Sequence, residues 1–382
     1  MTTTSSGSPY SGRQRLLAVF KGEPVDRIPV APFVHANLVR AYFGLSNDTD
    51  VVEKTVSVYE AFGLDLIHRN CTPTCDDLNL AGDGWKPEIA KTLEGRNETT
   101  RTVIRTPGGT LEQVHQLTWF SPYDAESTAV DYLIKSETDL DLLVRYQPPV
   151  GVVDASPIRK ARLAVADEGL IAPWVQGAFN HVAFYFRRID DLLTDAMLNP
   201  PFYHRMMEYF LERNQAFIGQ LIEAGVDILS YAGNIGSAKM IGEGFFREFV
   251  LPYERRLIQF IESKGVFVLY HNCGYARRLL HAYNELGMTA YESLTPPPYG
   301  DTDLDEAFEI LDPKLVLIGN VDQIEFVVKA TPAEIRRRVA EVLDKARRRG
   351  RFILGTSDYF NEFTPHENIR AFADTGRECG WY

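Results

Sequence analysis

Short apolar runs alternate with longer amphipathic stretches along most of the chain. Each run ends in polar residues, and the stretch after it carries apolar residues at the 3.6-residue spacing of a helix. Eight runs fit β-strands, at residues 27–33, 64–68, 170–175, 226–231, 266–271, 289–294, 315–320 and 352–357. A strand followed by a helix is the repeating unit of parallel sheets, and eight such units close into a barrel. The pattern therefore predicts an α/β fold, a single (β/α)8 TIM barrel.

Helix-capping signals occur near the end of the chain, where this alternation needs helices. Residues 331–334 read Thr-Pro-Ala-Glu, a capping box with proline at the first helical position, and Gly350 follows the last predicted turn. Residues 364–367 read Thr-Pro-His-Glu and repeat the signal. We therefore expect two helices, each beginning at its Thr-Pro pair.

One stretch, residues 83–169, interrupts the alternation between early strands. Within it, residues 99–105 and 110–116 flank a Thr-Pro-Gly-Gly turn and predict a β-hairpin. We interpret the stretch as an insertion near the barrel mouth, with a separate small domain as the alternative. Residues 1–12 are mostly Ser, Thr and Gly and predict a disordered tail, so the barrel is assigned to residues 13–382.

Charge and hydropathy exclude several classes of partner. Acidic residues outnumber basic ones by 52 to 40, and the net charge of -12 argues against a protein that binds nucleic acid or anionic lipid. No apolar run approaches the roughly 20 residues that cross a bilayer, and the start of the chain lacks a secretion signal. We expect a cytoplasmic protein without a membrane partner. The oligomeric state stays open, a homodimer included.

Candidate chemistry lies where the strands end, because reactive groups of such barrels sit at the carboxyl ends. His271 and Cys273 are two residues apart at the end of a predicted strand, so both side chains project to one side. Imidazole and thiolate suit zinc, which needs one or two further protein ligands. An ordinary half-buried pair is the alternative. Cys71 and Cys75 form a Cys-x-x-x-Cys after the second strand, which is weaker as a metal signal.

Five stretches of the sequence resemble a known family. They are Arg13-Gln-Arg-Leu-Leu-Ala, Lys21-Gly-Glu-Pro-Val-Asp-Arg-Ile-Pro, residues 225–252, His271-Asn-Cys-Gly and Thr364-Pro-His-Glu-Asn-Ile. Together they resemble the uroporphyrinogen decarboxylase superfamily over nearly the whole chain. The resemblance implies a single (β/α)8 barrel, which agrees with the strand pattern.

Two branches of that superfamily can be separated on this sequence. The decarboxylases carry an arginine-rich motif that binds substrate carboxylates, whereas residues 30–37 here read Val-Ala-Pro-Phe-Val-His-Ala-Asn. His-x-Cys-Gly resembles the cobalamin-dependent methyltransferases, which implies that His271 and Cys273 are zinc ligands. Their third ligand is a cysteine shortly before the last Thr-Pro, where this chain has Asp358. Asp358 is the first candidate for that ligand, with Glu292 and Cys71 behind it.

The resemblance leads to a hypothesis for the reaction. The stretches Glu292-Ser-Leu-Thr-Pro-Pro-Pro and Gly319-Asn-Val-Asp look like the branch that removes methyl groups from methoxylated compounds. Zinc would bind the oxygen of a small O-methyl substrate, an aromatic one in our interpretation, and the methyl group would pass to the cobalt of a corrinoid protein. Strand-end positions nominate substrate-binding residues: Tyr231, Asn234, Gln176, His181, and Arg69 for a substrate carboxylate. His181 could instead simply begin the following helix.

Three alternatives follow from the same residues. A decarboxylase-type lyase would need no metal. A thiol-directed corrinoid methyltransferase would use zinc to activate a substrate thiol. A non-catalytic barrel would bind a corrinoid or its carrier protein.

Overall fold

Parallel strands followed by helices make up most of the structure. The computed structural model describes residues 10–74, 78 and 80–382. Residues 1–9 of the predicted tail, and Cys75, lie outside the described residues. Ser11 caps the first helix and accepts a hydrogen bond from the backbone of Gln14, so the ordered chain begins inside the stretch that we predicted to be disordered. Among the described residues, no helix has the length and apolar character that crossing a bilayer requires.

The strands and helices are as follows. The strands are β1 (Leu66–His68), β2 (Lys86–Glu94), β3 (Asn97–Thr106), β4 (Gly109–Trp119), β5 (Ala125–Asp131), β6 (Gly169–Ile171), β7 (Trp174–Gln176), β8 (Ile228–Ala232), β9 (Phe267–His271), β10 (Ala290–Ser293), β11 (Val316–Val321) and β12 (Phe352–Thr356). The helices are α1 (Gly12–Lys21), α2 (Ala36–Phe43), α3 (Val52–Phe62), α4 (Glu137–Tyr146), α5 (Ser156–Val165), α6 (Ala178–Tyr185), α7 (Ile189–Leu198), α8 (Pro200–Glu223), α9 (Glu243–Phe245), α10 (Leu251–Glu262), α11 (Leu280–Tyr283), α12 (Leu304–Ile310), α13 (Pro332–Arg349) and α14 (His366–Cys379). Short 3₁₀ turns lie at Asn234–Gly236 and Arg277–Leu279, and π turns at Phe246–Val250 and Gln323–Val327.

Two parallel sheets follow one another in the order that an eight-stranded barrel would have. The larger runs β7-β8-β9-β10-β11-β12, and the smaller pairs β1 with β6. The predicted strand 27–33 forms only isolated bridges, yet the backbone N–H of Ala31 donates to Leu354 in β12 at 3.0 Å. On the other side, the N–H of Asp65 donates to the carbonyl of Val30 at 2.8 Å. Residues 29–31 therefore link β12 to the start of β1.

The predicted strand 170–175 is split in two. Pro173 lies between β6 and β7 and has no N–H to donate to a neighbouring strand. Its carbonyl still accepts a hydrogen bond from Ser230 at 2.9 Å. Pro173 thus interrupts the strand but stays hydrogen-bonded to the neighbouring strand. The apolar pattern therefore continues across the break, and the sequence alone did not show it.

Alternation along the strands separates two buried faces. One face forms a small apolar cluster around Leu269, Ala290 and Ile318, which α1 covers with Leu16 and Phe20. Residues on the opposite face pack under the helices in the main core. Side chains two positions apart in a strand lie on the same face. Polar residues at the strand ends follow members of the small cluster by two positions and therefore share their face. These are Arg69, His271, Glu292 and Asn320.

The insertion is a four-stranded antiparallel sheet in the order β2-β3-β4-β5. The predicted hairpin lies in β3 and β4. The flanking strands escaped prediction because β2 exposes nearly every side chain and therefore lacks apolar alternation. Helix α5, also inside the range 83–169, buries Ile158, Ala161 and Val165 in the main core.

The two helix starts behave differently. At α13, the predicted capping box forms between Thr331 and Glu334, with Gly350 after the last turn. At α14, the prediction is wrong, because the helix begins at His366 and Thr364 makes no cap. The hydroxyl oxygen of Thr364 is buried without a hydrogen-bond partner.

A buried ion network gives structural roles to Arg15, Asp26 and Arg27, which lie in two of the stretches that resemble the family. The carboxylate of Asp65 accepts hydrogen bonds from Arg15 and Arg27, each at 2.8 Å, and from the N–H of Val30 at 2.7 Å. Arg15 also donates to both oxygens of Asp26. Asp65 therefore joins α1, residues 27–30 and the start of β1.

We expect Asp65→Ala to lower the free energy of unfolding by about 3–5 kcal/mol, because it leaves two buried guanidinium groups without their shared carboxylate. Urea denaturation measures the change. Asp305→Ala is the matched control, since its ion pair with Lys345 is exposed and should contribute at most about 1 kcal/mol. Equal effects of the two substitutions would contradict a central role for Asp65.

Candidate metal centre

Two strand ends bring three predicted metal donors together. His271 is the last residue of β9, Cys273 follows two positions later, and Asp358 lies two positions after β12. Their ligand atoms all lie within 4.8 Å of one another. His271 Nε2 is 3.8 Å from Asp358 Oδ1. The structure thus groups residues that are distant in sequence.

The loop after β9 is held by the residue between the two ligands. The side chain of Asn272 is fully buried and donates to the hydroxyl of Tyr283 at 2.7 Å. Its amide oxygen accepts from the N–H of Gly274 at 3.1 Å. Because Asn272 is fixed on the opposite side, His271 and Cys273 face the same space.

Glu292 lies behind His271 instead of joining the three donors. Its Oε2 is 2.8 Å from His271 Nδ1, and both carboxylate oxygens accept hydrogen bonds from the guanidinium of Arg69. When Nδ1 donates to Glu292, Nε2 is left with its lone pair toward Cys273 and Asp358. Arg69 and Glu292 are 1% and 3% exposed, so this ion pair is closed to solvent.

The electrostatics of the group follow from burial and close neighbours. Burial would raise the pKa of Glu292, but Arg69 and then His271 outweigh it and lower the pKa to about 2. Burial would lower the pKa of His271, but Cys273, Glu292 and Asp358 together raise it. Burial and the Asp358 carboxylate raise the pKa of the Cys273 thiol. The thiol of Cys273 and the carboxylate of Asp358 therefore lie close to the single imidazole of His271.

The donor set fits a zinc ion. Bonds of about 2.0–2.3 Å in tetrahedral geometry place ligand atoms roughly 3.3–3.8 Å apart, close to the spacing of this group. A histidine that binds metal usually donates its other ring N–H to a carboxylate, the role that Glu292 fills here. Nitrogen, sulfur and oxygen donors in one cluster suit zinc better than Mg²⁺ or Ca²⁺, which prefer oxygen alone.

Aromatic side chains surround the group on one side. The rings of Trp174 and His271 are 5.3 Å apart, and Phe33 lies 5.3 Å from Trp174 and 5.7 Å from Tyr359. The guanidinium carbon of Arg69 is 4.6 Å from the centre of the Phe33 ring. These contacts form an aromatic wall, which keeps bulk water from the ion pair behind His271.

A cavity of about 830 Å³ lies beyond the wall. Arg69 and Trp174 line it and also contact the metal group or its support. Residues of the insertion cover it, since Gln113 and His115 of β4 are among the lining residues. The predicted insertion therefore reaches the strand ends through one strand. Neither the apolar pattern nor the charge of the insertion indicated which of its residues would line the cavity.

The remaining predicted site residues divide between the cavity and the core. Gln176 and His181 line the cavity, and burial lowers the pKa of His181 to about 4. His181 also lies in the first turns of α6, as the alternative interpretation predicted, whereas its contact with a substrate stays a prediction. Asn234 is exposed and accepts a hydrogen bond from Asn180 at 2.8 Å. Cys71 lines the cavity, but its thiol donates to the carbonyl of His68 and lies outside the group of three donors.

Tyr231 lies in the core. It is fully buried, and its hydroxyl donates to Glu254 of α10. Glu254 also accepts hydrogen bonds from the N–H groups of Ala178 and Phe179, at 3.2 Å and 3.0 Å. The carboxylate therefore caps the helix that carries His181. Burial raises the pKa of Glu254 to about 7.

The sequence of this chain matches a known protein family. The family model described as uroporphyrinogen decarboxylase (URO-D) matches residues 158–379, which is more than half of the chain. The chain belongs to the URO-D family. The matched range contains all three donors and Glu292.

Relatives of this URO-D family chain include proteins from Methanosarcina. The methylcobamide:CoM methyltransferase MtaA of Methanosarcina barkeri is 23% identical over 373 residues, covering 95% of this chain and 97% of that protein. The methylated-thiol--coenzyme M methyltransferase of Methanosarcina mazei is 27% identical over 154 residues, which span only 38% of its length and 40% of this chain.

A solved structure supports the fold of this URO-D family chain. A methyltransferase from Methanosarcina mazei superposes with a TM-score of 0.69 at 17% identity, covering 97% of this chain and 99% of the other. At this identity the similarity establishes the architecture alone.

Glu254 makes stability depend on pH. Its pKa is about 7 in the folded chain and near the ordinary 4.5 when unfolded, so the unfolded state ionises first as pH rises. The free energy of unfolding should therefore fall between about pH 4.5 and 7, by roughly 2–4 kcal/mol from this group, and then level off. Urea denaturation at pH 5.5 and 8 tests this against Glu254→Gln, which cannot ionise. The same pH slope in both proteins would contradict the assignment.

Proposed function

We propose that the chain is a zinc-dependent methyltransferase that moves a methyl group from a small O-methyl aromatic compound to the cobalt of a corrinoid protein. The observation that carries the proposal is the cluster of His271, Cys273 and Asp358 beside an aromatic-lined cavity. The name of the Methanosarcina barkeri relative refers to methyl transfer from methylcobamide, which supports corrinoid chemistry. We further infer that the two parallel sheets and residues 29–31 form one closed eight-stranded barrel.

His271, Cys273 and Asp358 would hold the zinc. A bound zinc ion would act as a Lewis acid that polarises the ether oxygen next to the transferred methyl group. With one thiolate and one carboxylate, the ligand set is poorer in sulfur than two cysteines would make it. Such a set favours an oxygen substrate over a thiol.

Residues behind the ligands would keep them in position. Glu292 fixes the ring orientation and tautomer of His271, and Arg69 holds Glu292 through both carboxylate oxygens. Arg69 is thereby occupied, which argues against our initial proposal that it binds a substrate carboxylate. Trp174 and Phe33 would exclude water from the polarised oxygen.

The cavity would hold the rest of the substrate. Gln176 offers an amide there, and His181, neutral at pH 7, offers one hydrogen-bond donor and one acceptor. Asn234 stays a weaker candidate at the edge, whereas Tyr231 would act only through Glu254 and α6. The corrinoid protein would approach from the carboxyl ends of the strands.

We expect purified protein to contain about one zinc ion per chain, and His271→Ala and Cys273→Ala to lose it. Methyl transfer to a corrinoid protein should fall roughly a hundredfold or more, because even partners behind the ligands contribute 10- to 100-fold. Elemental analysis and a methyl-transfer assay measure the two effects. His281→Ala and Cys379→Ala are matched controls at exposed positions. A zinc-free protein whose His271→Ala variant kept full activity would refute the mechanism.

A second function is favoured by one observation. Both reported relatives carry names that refer to coenzyme M or a methylated thiol. A thiol-directed enzyme would bind the substrate sulfur to the same zinc and methylate it from the corrinoid.

Asp358→Cys separates the two functions. The substitution enriches the site in sulfur, so we expect the ratio of ether demethylation to thiol methylation to fall by roughly tenfold or more. Both rates are measured with the same corrinoid protein and equal zinc content. A variant that improves thiol methylation and leaves ether demethylation unchanged would favour the thiol-directed function for the native chain.

A further inference from the structure

The wall of the cavity carries a cation that forms no ion pair with any described residue. Among the described lining residues, the charged side chains are Arg40, Asp50, Arg69 and Arg213. Asp50 pairs with Lys160 at 2.8 Å, and Arg69 pairs with Glu292. Arg213 lies close enough to His181 to lower the pKa of that imidazole. The guanidinium of Arg40 makes no hydrogen bond or ion pair with the described part of the chain.

Within the described residues, no carboxylate pairs with the guanidinium of Arg40. Burial lowers the pKa of Arg40, and the carboxylates of Asp124 and Asp48 only partly oppose this effect. Neither lies within ion-pair distance of the guanidinium. A guanidinium presents several N–H donors in a plane, a geometry that matches a carboxylate.

The position of Arg40 relates this cation to the metal group. Ala36 and Arg40 both line the cavity, and they are four residues apart on α2, or about 6 Å along its axis. His35 precedes the helix, also lines the cavity, and lies 4.9 Å from the ring of Tyr359, the residue after Asp358. His35 therefore connects the part of the wall that carries Arg40 to the loop that carries Asp358.

Flat apolar side chains line the same cavity. Trp174, Tyr185, Phe186 and Phe217 line the cavity, and Trp174 contacts the ring of His271. Such walls favour a planar ring over a compact aliphatic group. Gln113 of β4 adds an amide that is 8% exposed and has no partner for its oxygen.

We infer that the cavity accepts an aromatic ring carrying a carboxylate, with the carboxylate bound by Arg40 and the methoxy group directed toward His271, Cys273 and Asp358. This inference rests on the proposed function for the direction of the methoxy group. It replaces Arg69, whose guanidinium is bound by Glu292, with Arg40 as the residue that recognises the acid. The substrate class is therefore methoxylated aromatic acids and not neutral aromatic ethers.

Calorimetric titration with 4-methoxybenzoate and with its neutral analogue 4-methoxybenzamide tests the inference on the purified zinc-loaded chain. We expect the acid to bind roughly 10- to 100-fold more tightly than the amide, because a hydrogen bond to a charged group is involved. Arg40→Gln should remove this preference, and Arg40→Lys should retain part of it. Arg336→Gln, on the exposed face of α13, is the matched control and should bind as the native chain does.

Equal binding of acid and amide, failure of the acid to bind, or an unchanged preference in Arg40→Gln would overturn the inference. The measurement needs neither a corrinoid protein nor turnover. Arg40-dependent binding without any methyl transfer would therefore refute the proposed function and leave the acid site standing. Methyl transfer from acid and neutral ethers alike, with no effect of Arg40→Gln, would refute the acid site and leave the proposed function standing.

Discussion

The ion pair between Arg69 and Glu292 is the interaction on which the candidate site depends. It crosses from the end of β1 to β10, strands that belong to different sheets. Removing two charges from water is costly, and the two hydrogen bonds between the side chains offset part of that cost. Arg69 donates to both carboxylate oxygens, and Glu292 then binds His271. The site is thus held by a polar contact inside an otherwise apolar frame.

Much of the fold could be predicted because burial imposes a regular pattern. The strands from β8 to β12 alternate buried faces, and α13 carries its capping box as the sequence indicates. Elements without such a pattern were missed. β2 is almost wholly exposed, residues 27–33 bridge their neighbours only at single points, and Pro173 divides a strand that reads as continuous. In each case contacts with other segments of the same chain decide the conformation, and the local sequence preference does not.

The candidate site follows the same division. His271 and Cys273 could be paired from sequence because residues two apart in a strand share a face, and family resemblance pointed to Asp358. The partnership of Arg69 and Glu292 could not, since 223 residues separate them and nothing local couples their charges. The position of Arg40 depends on how α2 packs. Tyr231 illustrates the opposite error, because a strand end can also point into the core, where its hydroxyl serves a buried carboxylate.

The inserted sheet attaches to the molecule in a way that separates ligand choice from folding. Its strands pair only with one another, yet β4 delivers Gln113 and His115 to the cavity wall. Changes of length or sequence in this sheet can therefore alter the shape of the cavity while the parallel strands and the metal donors keep their places. The inserted sheet thus contributes to the outline of the cavity without carrying any of the three candidate metal donors.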